Sequence, residues 1–81
     1  MLTLDQLLPN QQARVLSLAG EPALVQRLYE LGLYEGETIE LITFAPLGDP
    51  VEIRVGNTRL SLRKREAAFI TVELIESQPL R

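Results

Sequence analysis

The side chains that could do covalent chemistry in this chain are few, because its 81 residues contain neither histidine nor cysteine. That removes thiol nucleophiles, thiolate zinc sites and disulfides together. Ser17, Ser61 and Ser77 remain, but without an imidazole beside them a hydroxyl has no activating base of the usual kind. The glycines at positions 20, 32, 36, 48 and 56 fit neither a phosphate-binding loop nor a dinucleotide fingerprint. Asp49 and Glu52 put two carboxylates on one hairpin, yet two oxygen donors without further ligands make a weak cation site. For Asp49 the ordinary role is to accept hydrogen bonds from the amides of its own turn. The expectation is a chain with no catalytic residue, no cofactor and no resident metal.

What is left is charge and exposed grease. The net charge is −3, from eleven acids against eight bases, which argues against a nucleic-acid binder, since phosphate neutralisation needs a basic domain. Five of the bases nevertheless crowd together: Arg54, Arg59, Arg63, Lys64 and Arg65. Such a cluster can steer a protein toward an acidic partner surface or anionic headgroups, and Arg63 is its candidate contact. Its commoner fate is a solvated face balanced by neighbours, here Glu52 and Glu66. Leu47 stands in the run Pro46-Leu47-Gly48-Asp49-Pro50, where a turn keeps a large aliphatic away from any interior. Either it meets a partner, with Pro46 and Pro50 stiffening the turn, or it folds back over one end of the core.

The elements that would position these residues follow from periodicity. Eighty-one residues suffice for one domain, and at that size roughly 60% of the unfolded chain's surface is buried on folding, leaving little for a deep pocket. We read one domain over residues 1–81, with 76–81 a polar C-terminal tail. Apolar runs are too short to span a bilayer and Met1-Leu2-Thr3-Leu4-Asp5 has no basic start, so a cytosolic chain without membrane insertion is expected. Thr3-Leu4-Asp5-Gln6 has the spacing of a capping box, predicting one helical turn ended by Pro9-Asn10. Residues 12–19 predict a strand. Leu24, Val25, Leu28 and Leu31 recur at helical spacing behind Pro22, and Gly32 suits the left-handed residue after a helix.

Residues 37–45 read as a strand whose apolar phase changes at Leu41-Ile42, as in a strand that bends. Val51, Ile53 and Val55 alternate with Glu52 and Arg54; Gly56-Asn57 reverses the chain; Leu60 and Leu62 alternate with Arg59, Ser61 and Arg63. Residues 64–68 predict a single helical turn, and 69–75 a last strand. Five strands with a helix inserted between the first and second predict a mainly β fold, a closed SH3-like antiparallel barrel, because closure removes exposed edges. The helix stripe either fills that core or leaves a groove; Leu28 and Leu33 are the groove candidates.

Three blocks resemble one family. Arg27-Leu28-Tyr29-Glu30-Leu31-Gly32-Leu33-Tyr34-Glu35-Gly36, Ala45-Pro46-Leu47-Gly48-Asp49-Pro50 and Leu60-Ser61-Leu62-Arg63-Lys64-Arg65-Glu66-Ala67 stand in the order and at the separations of the ferrous iron transport protein A (FeoA) family. The resemblance runs from about Leu2 to Ile75. Asn10 departs from it where glycine is common, and asparagine tolerates the same left-handed backbone. The same barrel also ends metal-dependent repressors of the diphtheria-toxin-repressor type, where similar blocks are found.

What the resemblance implies is a non-catalytic accessory of ferrous-iron uptake whose partner is the FeoB-type membrane transporter, which carries a cytosolic GTP-hydrolysing domain. The residues themselves point only to docking, with Leu28, Leu33, Pro46, Leu47 and Arg63 as the candidate contacts. Weak self-association is compatible with such a surface. Two competing readings are a free-standing repressor-type domain acting in protein–protein regulation, and a domain inserting Arg63 or Arg65 to speed GTP hydrolysis.

Overall fold

The computed structural model describes residues 2–75; the expected polar tail at 76–81 lies outside the described residues. The elements are β1 (Leu2–Thr3), a 3-10 turn (Leu4–Gln6), β2 (Gln12–Leu18), α1 (Pro22–Glu30), β3 (Thr38–Phe44), β4 (Val51–Val55), β5 (Thr58–Leu62), α2 (Lys64–Ala67) and β6 (Ile70–Ile75). Local chemistry accounts for their limits. Gln6 accepts the Thr3 N–H at 2.9 Å and so starts the 3-10 turn. Asn10 takes a positive φ of 74° at the turn into β2.

Pro22 occupies the first turn of α1. At its other end Gly32, with φ +96°, reverses the chain: its N–H bonds the Tyr29 carbonyl at 2.9 Å, and the Leu33 N–H bonds the Leu28 carbonyl at 3.0 Å. This pair of bonds is a Schellman closure, which brings the residue after glycine against the residue one turn back into the helix. Leu28 and Leu33 are accordingly both fully buried. The expectation that they line an open groove is therefore corrected: they belong to the core.

All strand pairs are antiparallel, in the order β1-β6-β2-β3-β4-β5. The fold is mainly β and SH3-like with its inserted helix, but two features of the expected barrel fail. There are six strands, not five, since Leu2 and Thr3 pair with Val72 and Thr71 before the 3-10 turn begins. And the sheet is open: β1 bonds only β6, and β5 bonds only β4. Bulges between Val15 and Ser17 and between Leu41 and Thr43 curve the sheet, the second at the phase change read in the sequence. Curvature does not become closure because β1 is two residues long and the 3-10 turn then packs against α2. Leu4, Leu7 and Ala67 from these short pieces are buried, so side chains seal the core where strand pairing was expected to.

Val15, Ile39, Leu41, Val51, Ile53 and Leu62 form the centre of that core, and no polar or charged residue is buried among the described residues. Burying a large aliphatic contributes about 1.5–3 kcal/mol, and truncating one costs more because a cavity remains. Leu28→Ala and Leu33→Ala should each lower the unfolding free energy in urea by about 2–5 kcal/mol. Leu47→Ala should change it by no more than about 0.5 kcal/mol, and a large loss there would place Leu47 in the core.

Candidate functional site

The loop between β3 and β4 is a tight turn: the Gly48 N–H bonds the Ala45 carbonyl at 2.7 Å and the Ala45 N–H bonds the Pro50 carbonyl at 3.0 Å. Pro46 and Leu47 are the two central residues of that turn, the position with the least backing from the rest of the chain. Leu47 is 97% exposed, and Pro46 is exposed beside it. The Asp49-Pro50 peptide bond is cis.

Asp49 does not bond its own turn. Its Oδ1 accepts the backbone N–H of Lys64, the first residue of α2, at 2.9 Å. A carboxylate on a free helical amide is a charge-assisted bond, and it moors the Leu47 loop to the segment carrying Arg63, Lys64 and Arg65. Because the bond uses the backbone of Lys64, its ammonium stays in solvent.

The basic cluster divides in two. Arg54 and Arg59 face each other across β4 and β5, and each is neutralised by a carboxylate: Arg54 by Glu40 at 3.0 Å, Arg59 by Glu52 at 2.8 Å. Arg63, Lys64 and Arg65 are exposed and form no salt bridge among the described residues. Glu66, expected to balance them, is engaged elsewhere: Oε1 accepts the Arg63 N–H at 3.0 Å, and Oε2 pairs with Arg27 of α1. Its side chain is only 16% exposed. The cationic run at 63–65 is thus the part of the cluster that no carboxylate among the described residues neutralises.

Two features were not read from the sequence. Glu21, Leu24, Arg65, Glu66 and Phe69 line a cleft of about 390 Å³ between the start of α1 and α2. Phe69 is 45% exposed in it, and Gly20 lies so close behind that a Cβ there would meet Leu24 at 3.1 Å and Phe69 at 3.3 Å. The signal available was Phe69 itself, an aromatic at the junction of a helical turn and a strand. The other feature is a stacked pair, Tyr29 and Tyr34, with ring centroids 5.7 Å apart. The Tyr29 hydroxyl donates to Glu35 Oε2 at 2.9 Å. That hydrogen bond, with partial desolvation and the negative charge of Glu35, holds the Tyr29 phenol above the usual tyrosine range. No group of three or more metal-ligating side chains gathers among the described residues.

Asp49→Ala should lower stability by about 1–2 kcal/mol, the scale of a lost helix cap, and hydrogen exchange at the Lys64 amide should accelerate. Unchanged exchange there would show that the mooring bond is not made. For Tyr29 the fold favours the neutral phenol, so its contribution is complete below the unfolded-state pKa and disappears as pH rises through the higher folded value. Glu35→Gln should bring its phenolate absorbance transition down in an alkaline titration. A transition that does not move would refute the Glu35 contact.

Comparison with known proteins agrees with this geometry. A curated relative from Porphyromonas gingivalis, an Fe(2+) transport protein A/Fe(2+) transporter FeoB fusion protein, is 38% identical over 76 residues. The match covers 94% of this chain and 9% of that protein, so the chain spans about a tenth of the curated relative's length. Among solved structures, the FeoA protein from Chlorobium tepidum superposes with a TM-score of 0.88 at 38% identity, covering 96% of this chain and 74% of that one. FeoA from Stenotrophomonas maltophilia, solved with zinc and described as an SH3 domain protein, gives 0.75 at 34% identity over 90% of this chain and 91% of that one. The family model for the FeoA domain matches residues 2–74, and the chain belongs to the FeoA family.

Proposed function

We propose that this chain is a non-catalytic accessory of ferrous-iron uptake, acting at the cytosolic face of the membrane by docking onto the cytosolic part of a FeoB-type transporter. The observation that carries the reading is the Porphyromonas gingivalis relative, in which the matching segment shares one polypeptide with a FeoB transporter. Covalent linkage holds two modules at high effective concentration, which favours a pair that works in contact. The chemistry of this chain is consistent with that role. It has no histidine or cysteine to serve catalysis, and no helix among the described residues is long and apolar enough to cross a membrane.

The docking contact we assign to the moored loop, with Pro46 and Leu47 at its tip and Arg63 behind it. Leu28 and Leu33 have no place in it, being enclosed in the core. The backbone of the turn is already fixed by its two hydrogen bonds, so burying Leu47 against a partner loses little backbone entropy.

The test is co-purification with the transporter combined with uptake of labelled ferrous iron. Deleting this chain should depress uptake, and Leu47→Asp should weaken capture of the transporter by about tenfold or more while leaving the fold intact. A wild-type chain that neither captures the transporter nor alters uptake would refute the proposal.

A further inference from the structure

Arg65 belongs to two features at once. It is the last of the three cations at 63–65, and it lines the cleft whose apolar side chains are Leu24 and Phe69. The cationic run is tied in turn to the Leu47 loop by the Asp49 bond. An apolar knob, a cationic stretch without intramolecular partners among the described residues, and a cleft with two apolar side chains among charged ones are therefore joined through α2. The cleft holds about 390 Å³, a scale suited to one bulky side chain and a stretch of backbone.

Resting on the docking reading above, we infer that the partner presents an acidic segment bearing one large apolar side chain, which seats that side chain between Leu24 and Phe69 and lays its carboxylates on Arg63, Lys64 and Arg65. Charge decides the occupant. The cations come from the α2 side, whereas Glu21 stands on the wall supplied by α1 and Glu66 is engaged by Arg27. A segment is thereby oriented with its acids toward α2. An anionic lipid surface fits less well: it is flat where the cleft is concave, and the chain as a whole carries a net charge of −3.

Backbone bonds make the test clean, since Asp49 and Glu66 hold the amides of Lys64 and Arg63 and the three cationic side chains can be changed without removing either bond. The combined variant R63E/K64E/R65E and, separately, Phe69→Asp would be titrated against the intact transporter in nanodiscs of zwitterionic lipid, at low and high salt. In parallel, the wild-type chain and the triple variant would be sedimented with phosphatidylcholine–phosphatidylglycerol vesicles. The charge reversal should weaken transporter binding about tenfold or more and flatten its salt dependence. Phe69→Asp should also weaken binding about tenfold or more.

Wild-type affinity in the triple variant would overturn the inference while leaving docking itself standing. So would unimpaired binding by Phe69→Asp, or vesicle binding that the triple variant abolishes while its transporter affinity is unchanged. Failure of the wild-type chain to bind the transporter would remove both readings. Urea denaturation of each variant separates loss of contact from loss of fold, and the triple variant, exposed at all three positions, decides the matter should Phe69→Asp unfold.

Discussion

Burial of aliphatic side chains into one polar-free core is the constraint under which every other feature of this molecule is set. Leu4 and Leu7 come from the opening turn, Leu28 and Leu33 from the end of α1, Leu41 and Ile53 from the sheet, and Ala67 from α2. In so small a chain nearly every large apolar residue that can reach the interior is needed there. No ionisable residue among the described ones is buried, and at the surface ion pairs such as Arg54 with Glu40 add little stability.

The four residues of α2 carry a disproportionate share of the organisation. Alone, such a turn is far too short to be stable. Here its first amide is held by Asp49 from another loop, Glu66 accepts the amide before it, the Glu66 carboxylate also grips Arg27 of α1, and Ala67 is buried beneath. The loop bearing Leu47, the helix α1 and the closing strand β6 thus meet at one short segment. The same segment displays the cations that nothing else among the described residues neutralises. A joint whose backbone amides are already bonded, with charge facing outward, is well suited to present a contact, because its backbone is fixed before a partner arrives.

Openness of the sheet fits this arrangement. A closed barrel would hydrogen-bond its two edge strands, β5 and β1, and leave no room for helical turns between them. In this chain the 3-10 turn and α2 occupy that gap, and β5 is left as a short edge bearing Thr58, Arg59 and Ser61, polar enough to discourage indiscriminate pairing.

Much of the fold was legible in the residues because strands, helix and turns are written in local periodicity. The alternation of Val51 to Val55 and Leu60 to Leu62, the proline that opens α1 and the glycine that closes it, and the phase change at Leu41 all correspond to observed features. The absence of histidine and cysteine likewise removed imidazole and thiol chemistry without coordinates. The burial of Leu28 and Leu33 was also implicit in Gly32, since a Schellman closure packs the residues that flank it, but helical spacing alone does not tell core from groove. Contacts between distant positions were not legible at all. Asp49 reaches an amide 15 residues away and Arg27 a carboxylate 39 residues away; no periodicity encodes such pairings, because they depend on how the elements pack. Composition and spacing determined most of the succession of elements and left the chain without imidazole or thiol groups. Only packing decided that the sheet stays open, that Glu66 turns to α1, and that the cations at 63–65 are left facing outward beside Leu47.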